Sequence, residues 1–396
     1  MTQEEKEHWE YLVDTCKWAI PEIKHKWLTE SGVHSTLMHL PEYESVCTSD
    51  SEEEKFVAAT IRKLHQYAME MFGFSPCEVE EADTSNWSPY YFQATGMHNQ
   101  SFIGAVCGDI IGSVYEFNRT KDYNFELFTS RSRFTDDTVM TCAVADWLRK
   151  DSEHTHNGLI RAMRVYSRKY PNMSYGNMFS IWLKSIHIAP YNSFGNGSAM
   201  RVSPVGFYAE SLEEALELAK ISAEVTHNHP QGIIGAQAVA AAIYIMKAAS
   251  IEDDIENGKE KVRKFLKEQY SYKVEYTEQE WEEHVKKYTF NETCQGSVPE
   301  AIYCALSSDS YEQAIRKAVS LGGDADTQAA IAGGIAAAFC PVPLDIISRC
   351  LERLTDDLID VIDHFNNSVV YTEMLKNKEY PYSSKFKSLQ LDSNEV

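Results

Sequence analysis

A chain of 396 residues with 43% hydrophobic and 24% charged residues can bury a substantial core and has the balance of an ordinary globular protein. Its formal charge of −22, to which residues 1–100 contribute 18 acids against 7 bases, argues against nonspecific nucleic-acid binding, which needs a positive surface. No run of about eighteen apolar residues points to a membrane span, the polar start lacks signal-peptide features, and nine scattered cysteines without a CxxC pair read as reduced thiols of a cytoplasmic protein.

Residues 1–95 open on Trp9, Tyr11, Trp18 and Trp27 and run into the acidic stretch Asp50-Ser51-Glu52-Glu53-Glu54. Val57, Ile61, Leu64, Ala68 and Met71 then recur at spacings of four and three, which predicts a helix ended by Gly73 and Pro76. The acids before it suit the positive end of the helix dipole. The tryptophans predict a small packed module, mainly helical, joined to the rest through residues 83–101. Its acidity has two readings, a solvated surface or a face for a basic protein partner.

From Phe102 onward the pattern is one of successive helices. Gly104, Gly108 and Gly112 recur every four residues, so one helix face is bare and can pack closely on a neighbour. Asp109 and Glu116, seven apart, would share a face of that helix. Helices are expected from Thr138 to Arg149, from Gln231 to Ala248, and from Gln328 through the buried stretch Ile331 to Phe339. Ser297-Val298-Pro299-Glu300 fits a capping box opening another. Residues 251–292 are highly charged and read as a surface helical excursion. Few stretches alternate with the two-residue period of a strand. The expected fold class is all-α: one compact helical domain over 96–375, with an acidic extension over 1–95 and a polar tail over 376–396.

Two acidic segments stand apart, Thr135-Asp136-Asp137-Thr138 and Gly322-Gly323-Asp324-Ala325-Asp326-Thr327. Each could simply cap a helix. Capping needs one residue, however, and each segment offers two carboxylates and a hydroxyl. Adjacent acids repel unless a cation neutralises them, and hard cations such as Mg²⁺ or Mn²⁺ take oxygen ligands. If the segments met, they could hold two ions about 3.5–4 Å apart. Spacing alone does not bring them together. The turn Gly195-Asn196-Gly197-Ser198 could present backbone N–H groups to phosphate oxygens or be an ordinary turn. In Thr226-His227-Asn228-His229-Pro230 the histidines are too few for a zinc site.

Taken in order, residues 104–116, 134–140, 195–202, 226–230 and 322–327 resemble the ADP-ribosylglycohydrolase family over about 102–345. The resemblance implies the family's compact all-α domain with two divalent cations, Mg or Mn, in its cleft. It implies metal ligation by Thr135, Asp136, Asp137, Asp324, Asp326 and Thr327. Glu116 matches an acidic residue on the loop after the first helix that gates or completes the site, and with Asp136 and Asp326 it is expected to act in catalysis. Asn196, Gly197 and Ser198 match the loop that holds diphosphate and ribose, and His227 matches a histidine lining the cleft. Asp109 is expected to be structural. The implied activity is removal of ADP-ribose from modified protein side chains, arginine-linked first, with serine linkage left open. The alternative is an immunity-like or regulatory protein that neutralises an ADP-ribosyltransferase partner through residues 1–95, about which the family pattern says nothing.

Overall fold

Helix starts and stops follow from local chemistry along the part of the chain described by the structure, a computed structural model covering residues 102–186 and 188–376. α1 (Ile103–Gly112) has one charged residue, Asp109, and is buried along its whole length. α2 (Asp136–Lys150) begins where the Thr135 hydroxyl accepts from Asp137 N and ends on Arg149 and Lys150, the charge order its dipole favours. Thr155 caps α3 (His156–Lys169) in the same way. α4 (Asn177–Lys184) buries Phe179 and Trp182, and two single-turn helices follow, α5 (Gly197–Met200) and α6 (Ser203–Tyr208).

Ser211 caps α7 (Leu212–Glu224), and Pro230 occupies the first turn of α8 (Pro230–Ile251), where its missing N–H costs nothing. α9 (Ile255–Tyr270) stops at Ser271, which adopts a left-handed conformation with φ 57°. α10 (Glu278–Lys287) opens on a capping box between Thr277 and Glu280 and buries none of its residues. α11 (Cys294–Leu306), α12 (Tyr311–Ser320), α13 (Ala325–Ala336), α14 (Leu344–Leu351) and α15 (Asp356–Lys376) complete the described chain. Among the described residues there is no strand, only an isolated antiparallel bridge between Gly195 and Thr293.

The core is built on close backbone approach. α1 lies against α13 through its glycine face: a Cβ added at Gly104, Gly108 or Gly112 would fall 2.5, 2.1 or 2.4 Å from the carbonyl oxygens of Gly333, Ala329 and Ala325. Tyr311 Oη donates to Gly104 O at 2.6 Å and ties α12 to the same pair. α8 is apolar on all sides, and at 22 residues it is long and apolar enough to cross a membrane. Two-thirds of that stretch (67%) is buried inside the protein, as for a core helix. The expectation of no such run missed it because Gln231 and Gln237 interrupt the apolar letters. Cys107, Cys142 and Cys304 are buried free thiols, as their apolar settings predict.

Several boundaries differ from the sequence expectations. α2 starts at Asp136, ahead of Thr138, because Thr135 supplies the cap. α13 starts at Ala325, which puts Asp326 and Thr327 in its first turn, and it ends before Phe339. The capping box at 297–300 does not form. α11 begins a turn earlier because Phe194 O accepts from Cys294 N at 2.9 Å, satisfying a first-turn donor from outside. Ser297 therefore donates its hydroxyl to Thr293 O, and Pro299 sits inside the helix. α1 ends at Gly112, so Asp109 and Glu116 share no helix face. The charged stretch 251–292 is two helices, of which α9 buries Val262 and Leu266 and only α10 is wholly superficial. The extension over 1–95, its expected helix over 57–71 and the tail beyond 376 lie outside the described residues.

Candidate functional site

Asp109 ties α1 to the start of α2. Its carboxylate accepts from Thr135 N (2.9 Å), Thr135 Oγ1 (2.8 Å) and Thr138 N (3.1 Å), and from Thr138 Oγ1 as well. Burial pushes this carboxyl above its ordinary range, and the four hydrogen bonds pull against it. The same helix receives the start of α13, since a Cβ at Gly112 would lie 2.5 Å from Asp326 Cα. Gly322, at φ +71°, supplies the left-handed turn that leads into that start. One helix thus fixes both acidic segments, and they meet: Thr327 Oγ1 donates to Asp137 Oδ2 at 3.4 Å.

Glu116, Asp324 and Asp326 each bring a carboxylate oxygen within 4.8 Å of the others. Asp136 and Asp137 stand beside them in the wall of one cleft. Burial first, and then neighbouring carboxylates, raise Glu116 and Asp136 to about 7. The same causes raise Asp137 and Asp326 well above the carboxylate range. Burial also raises Asp324, against hydrogen bonds from Asn196 and Asp326. Asp137 Oδ1 is buried without a hydrogen-bond partner. None of the ion pairs among the described residues involves these acids. An oxygen-only, acid-rich, buried donor set with an orphaned oxygen is the chemistry a hard divalent cation requires. Thr135 is the least available donor: its hydroxyl is engaged with Asp109 and Asp137 N, and it does not line the cleft.

The glycine turn and the histidine form another part of the wall. Asn196 Nδ2 donates to Asp324 Oδ2 (2.7 Å) and to Ser297 Oγ (3.3 Å), while Asn196 N donates to Glu292 O (2.8 Å). Asn196 and Gly197 line the cleft. Ser198 does not, because its fully buried hydroxyl donates to Gly232 O at 2.7 Å, so the turn packs on α8 where a substrate contact was expected. Arg201, also buried, donates through Nη2 to Ser222 O (2.8 Å) and Thr226 Oγ1 (2.9 Å). The Thr226 hydroxyl, having accepted from Arg201, has His227 Nδ1 at 2.7 Å to donate to. Such accounting leaves the ring proton on Nε2, which lies against Gly195 and Gly197. Burial and then the Arg201 charge hold His227 well below the usual histidine range, so the imidazole is neutral.

The cleft has a volume of about 740 Å³, within the roughly 300–1,000 Å³ typical of small-molecule sites. Besides the acids it is lined by Tyr175, Phe179, Phe194 and Phe290. Sequence reasoning missed Tyr175, Phe179, Glu292 and the link from Arg201 through Thr226. Tyr175 and Phe179, four apart, look like an ordinary helix face. Glu292 arrives only through the backbone pairing of residues 292–294 with 194–196.

The sequence profile of the ADP-ribosylglycohydrolase family matches residues 99–374. ADP-ribosylhydrolase ARH3 of Bos taurus is 27% identical over 303 residues, covering 60% of this chain and 82% of that protein. ADP-ribosylarginine hydrolase Tri1 of Pseudomonas putida is 23% identical over 299 residues, covering 68% and 79%. A solved structure described as an ADP-ribosylglycohydrolase-related protein complex is similar in fold, with a TM-score of 0.50 at 19% identity. That likeness covers 68% of this chain and 99% of the other.

Proposed function

The chain belongs to the ADP-ribosylglycohydrolase family, and from that premise we propose that it is a metal-dependent hydrolase that releases ADP-ribose from modified protein side chains. The observation that carries the reading is the meeting of the two acidic segments, at Asp137 and Thr327, in the wall of one cleft. Asp136, Asp137, Asp324, Asp326 and Thr327 would hold two divalent cations, with Thr135 supporting from behind. Such cations, when bound, would supply coordination sites for ribose hydroxyls and for a water molecule whose pKa they would lower.

The chain's own groups would do the rest. As the bond at the anomeric carbon breaks, positive charge grows on the ribose ring. Glu116, Asp136 and Asp326 stabilise that charge, and one of them takes the water's proton. His227 donates its Nε2 proton to a ligand oxygen, and the Gly197 backbone N–H meets the diphosphate, with Asn196 holding the turn through its bond to Glu292 O. Tyr175 and Phe179 offer apolar surface for the base. Arginine linkage is our first choice, because a relative whose name states a linkage acts on ADP-ribosylarginine.

Arginine- and serine-ADP-ribosylated proteins, incubated with the protein in Mg²⁺, Mn²⁺ or EDTA, test the proposal. Release of ADP-ribose in metal and none in EDTA is expected, faster from arginine. No release from either substrate in any metal overturns the reading, and release from serine alone overturns the linkage.

A further inference from the structure

The loop from α1 to α2, residues 113–135, brings Glu116 to the acids of α13, yet Phe117, Asn118 and Arg119 just beyond it are exposed. What fixes this stretch lies further on, at Lys121. Its ammonium donates to Val285 O at 2.6 Å, to Tyr288 O at 2.9 Å and to Leu321 O. An ammonium has three protons, and three carbonyls take them all. Val285 and Tyr288 belong to the end of α10, and Leu321 is the residue on which α12 ends. Carbonyls at a helix end lack partners within the helix and carry the negative end of its dipole, so two helix ends converge on one positive charge.

Leu321 also opens the turn that leads into the second acidic segment. The Lys121 side chain lies across that turn, since a Cβ at Gly322 would fall 2.9 Å from its Cε. Tyr288 backs the next residue: a Cβ at Gly323 would lie 2.6 Å from its ring, and its Oη accepts from Gln328 Nε2 of α13 at 2.7 Å. α12 holds the far side of the loop, where Arg316 Nη1 donates to Tyr123 O at 3.1 Å and Phe125 O at 2.9 Å. The segments that deliver Glu116 and Asp324 are thus joined directly by Lys121.

We propose that Lys121 is a positioning residue for the acidic cluster: it locks the Glu116 loop to the turn before Asp324, so that the carboxylates are held ready for a divalent cation. Among the described residues it pairs with no carboxylate and bonds backbone carbonyls, so it acts through the position of the chain. The sign of its effect separates this role from simple electrostatics. A nearby positive charge repels a bound cation, so by Coulomb's law alone its removal would tighten cation binding. Loss of position weakens it.

The inference rests on the metal-binding reading of the cleft. Full-length protein stripped of metal and titrated with Mn²⁺ tests it, with free Mn²⁺ followed by electron paramagnetic resonance. Lys121→Met should weaken Mn²⁺ binding roughly ten-fold, the low end for groups that orient metal ligands. ADP-ribose release by this variant should fall at limiting Mn²⁺ and recover as Mn²⁺ is raised, because every ligand is still present. Lys287→Met removes a charge from the same end of α10, where Lys287 reaches only Glu283 at 3.9 Å, and should leave Mn²⁺ affinity unchanged. Equal or tighter binding in Lys121→Met overturns the inference even if that variant melts lower, as does equal weakening in Lys287→Met. Lys121→Gln keeps an amide donor and should fall between wild type and Lys121→Met. Should the methionine variant fail to fold, wild-type affinity in Lys121→Gln overturns the inference instead. Wild-type protein that binds no Mn²⁺ overturns the metal reading itself, and this inference with it.

Discussion

Asp137 sets folding against chemistry within one side chain. It is 3% exposed, its Oδ1 has no partner, and burial together with Asp109, Asp136 and Asp324 raises its pKa well above the carboxylate range. A charge held this way destabilises the metal-free chain unless a cation answers it. Asp137→Asn is therefore expected to raise the melting temperature of the protein in EDTA. It should also abolish the further rise that Mn²⁺ gives the wild type and lower ADP-ribose release by roughly 100-fold or more. Melting curves with and without metal, beside a turnover assay, check all three, and an unchanged Mn²⁺ response would remove Asp137 from the ligand set. The second residue-scale prediction concerns the hydroxyl between Arg201 and His227. Thr226→Val takes away the donor to Nδ1, so the imidazole proton should redistribute toward Nδ1 and KM should rise, on the order of ten-fold, more than kcat falls. Thr226→Ser should restore both. Nitrogen NMR of His227 reads the tautomer directly, and an unaltered spectrum in the valine variant would contradict the hydrogen-bond accounting.

At the scale of elements, the contact of α1 with α13 carries the site. A methyl at Gly108 would lie 2.1 Å from Ala329 O, with backbone rather than a flexible side chain in the way. Gly108→Ala should cost about 1–3 kcal/mol or more and lower the melting temperature by roughly 2–4 °C per kcal/mol. Gly176→Ala, with nothing within 4 Å, is the control and should change little. Gly112→Ala should cost stability in the same way, since its methyl would meet Ala325 O at 2.4 Å, and should also damage activity by pressing on Asp326 Cα and displacing the carboxylates of α13. Circular-dichroism melts beside the turnover assay separate the two effects. The glycine face was legible from its four-residue spacing, because sequence periodicity reports which side of a helix is bare. Its partner was not, since nothing in the spacing joins residue 108 to residue 329. Thr135 was quoted for its metal-ligand look, yet its local role as the cap of α2 explains where that helix starts. The misread box at 297–300 has a physical cause of the same kind. Phe194 O, about a hundred residues away in sequence, feeds the first turn of α11, and local pattern cannot see that partner.

For the whole molecule, the −22 charge and the buried acids together set how stability responds to pH. Burial raises Glu300 and Asp363 to about 7, with Asp360 adding to the effect on Asp363. Their ordinary values are 4.5 and 3.8, so between those values and about 7 the folded protein holds protons that the unfolded chain has released. Stability from these groups is complete below the unfolded values and is lost as pH rises through about 7. Relief of net negative charge on acidification acts in the same direction. Asp151, Glu256 and Glu280 are lowered by hydrogen bonds and have the opposite sign, but their contribution is lost only as pH falls below the ordinary carboxylate range. The protein in EDTA should therefore be more stable at about pH 5.5 than at about pH 7.5, by on the order of a few kcal/mol, and melt at a higher temperature. The double variant Glu300→Gln, Asp363→Asn should reduce that slope by the share of these two groups, leaving the part that the raised acids of the cleft contribute. If melting rises from the lower to the higher pH, or the double variant keeps the full slope, the buried acids away from the cleft are not the source of the dependence.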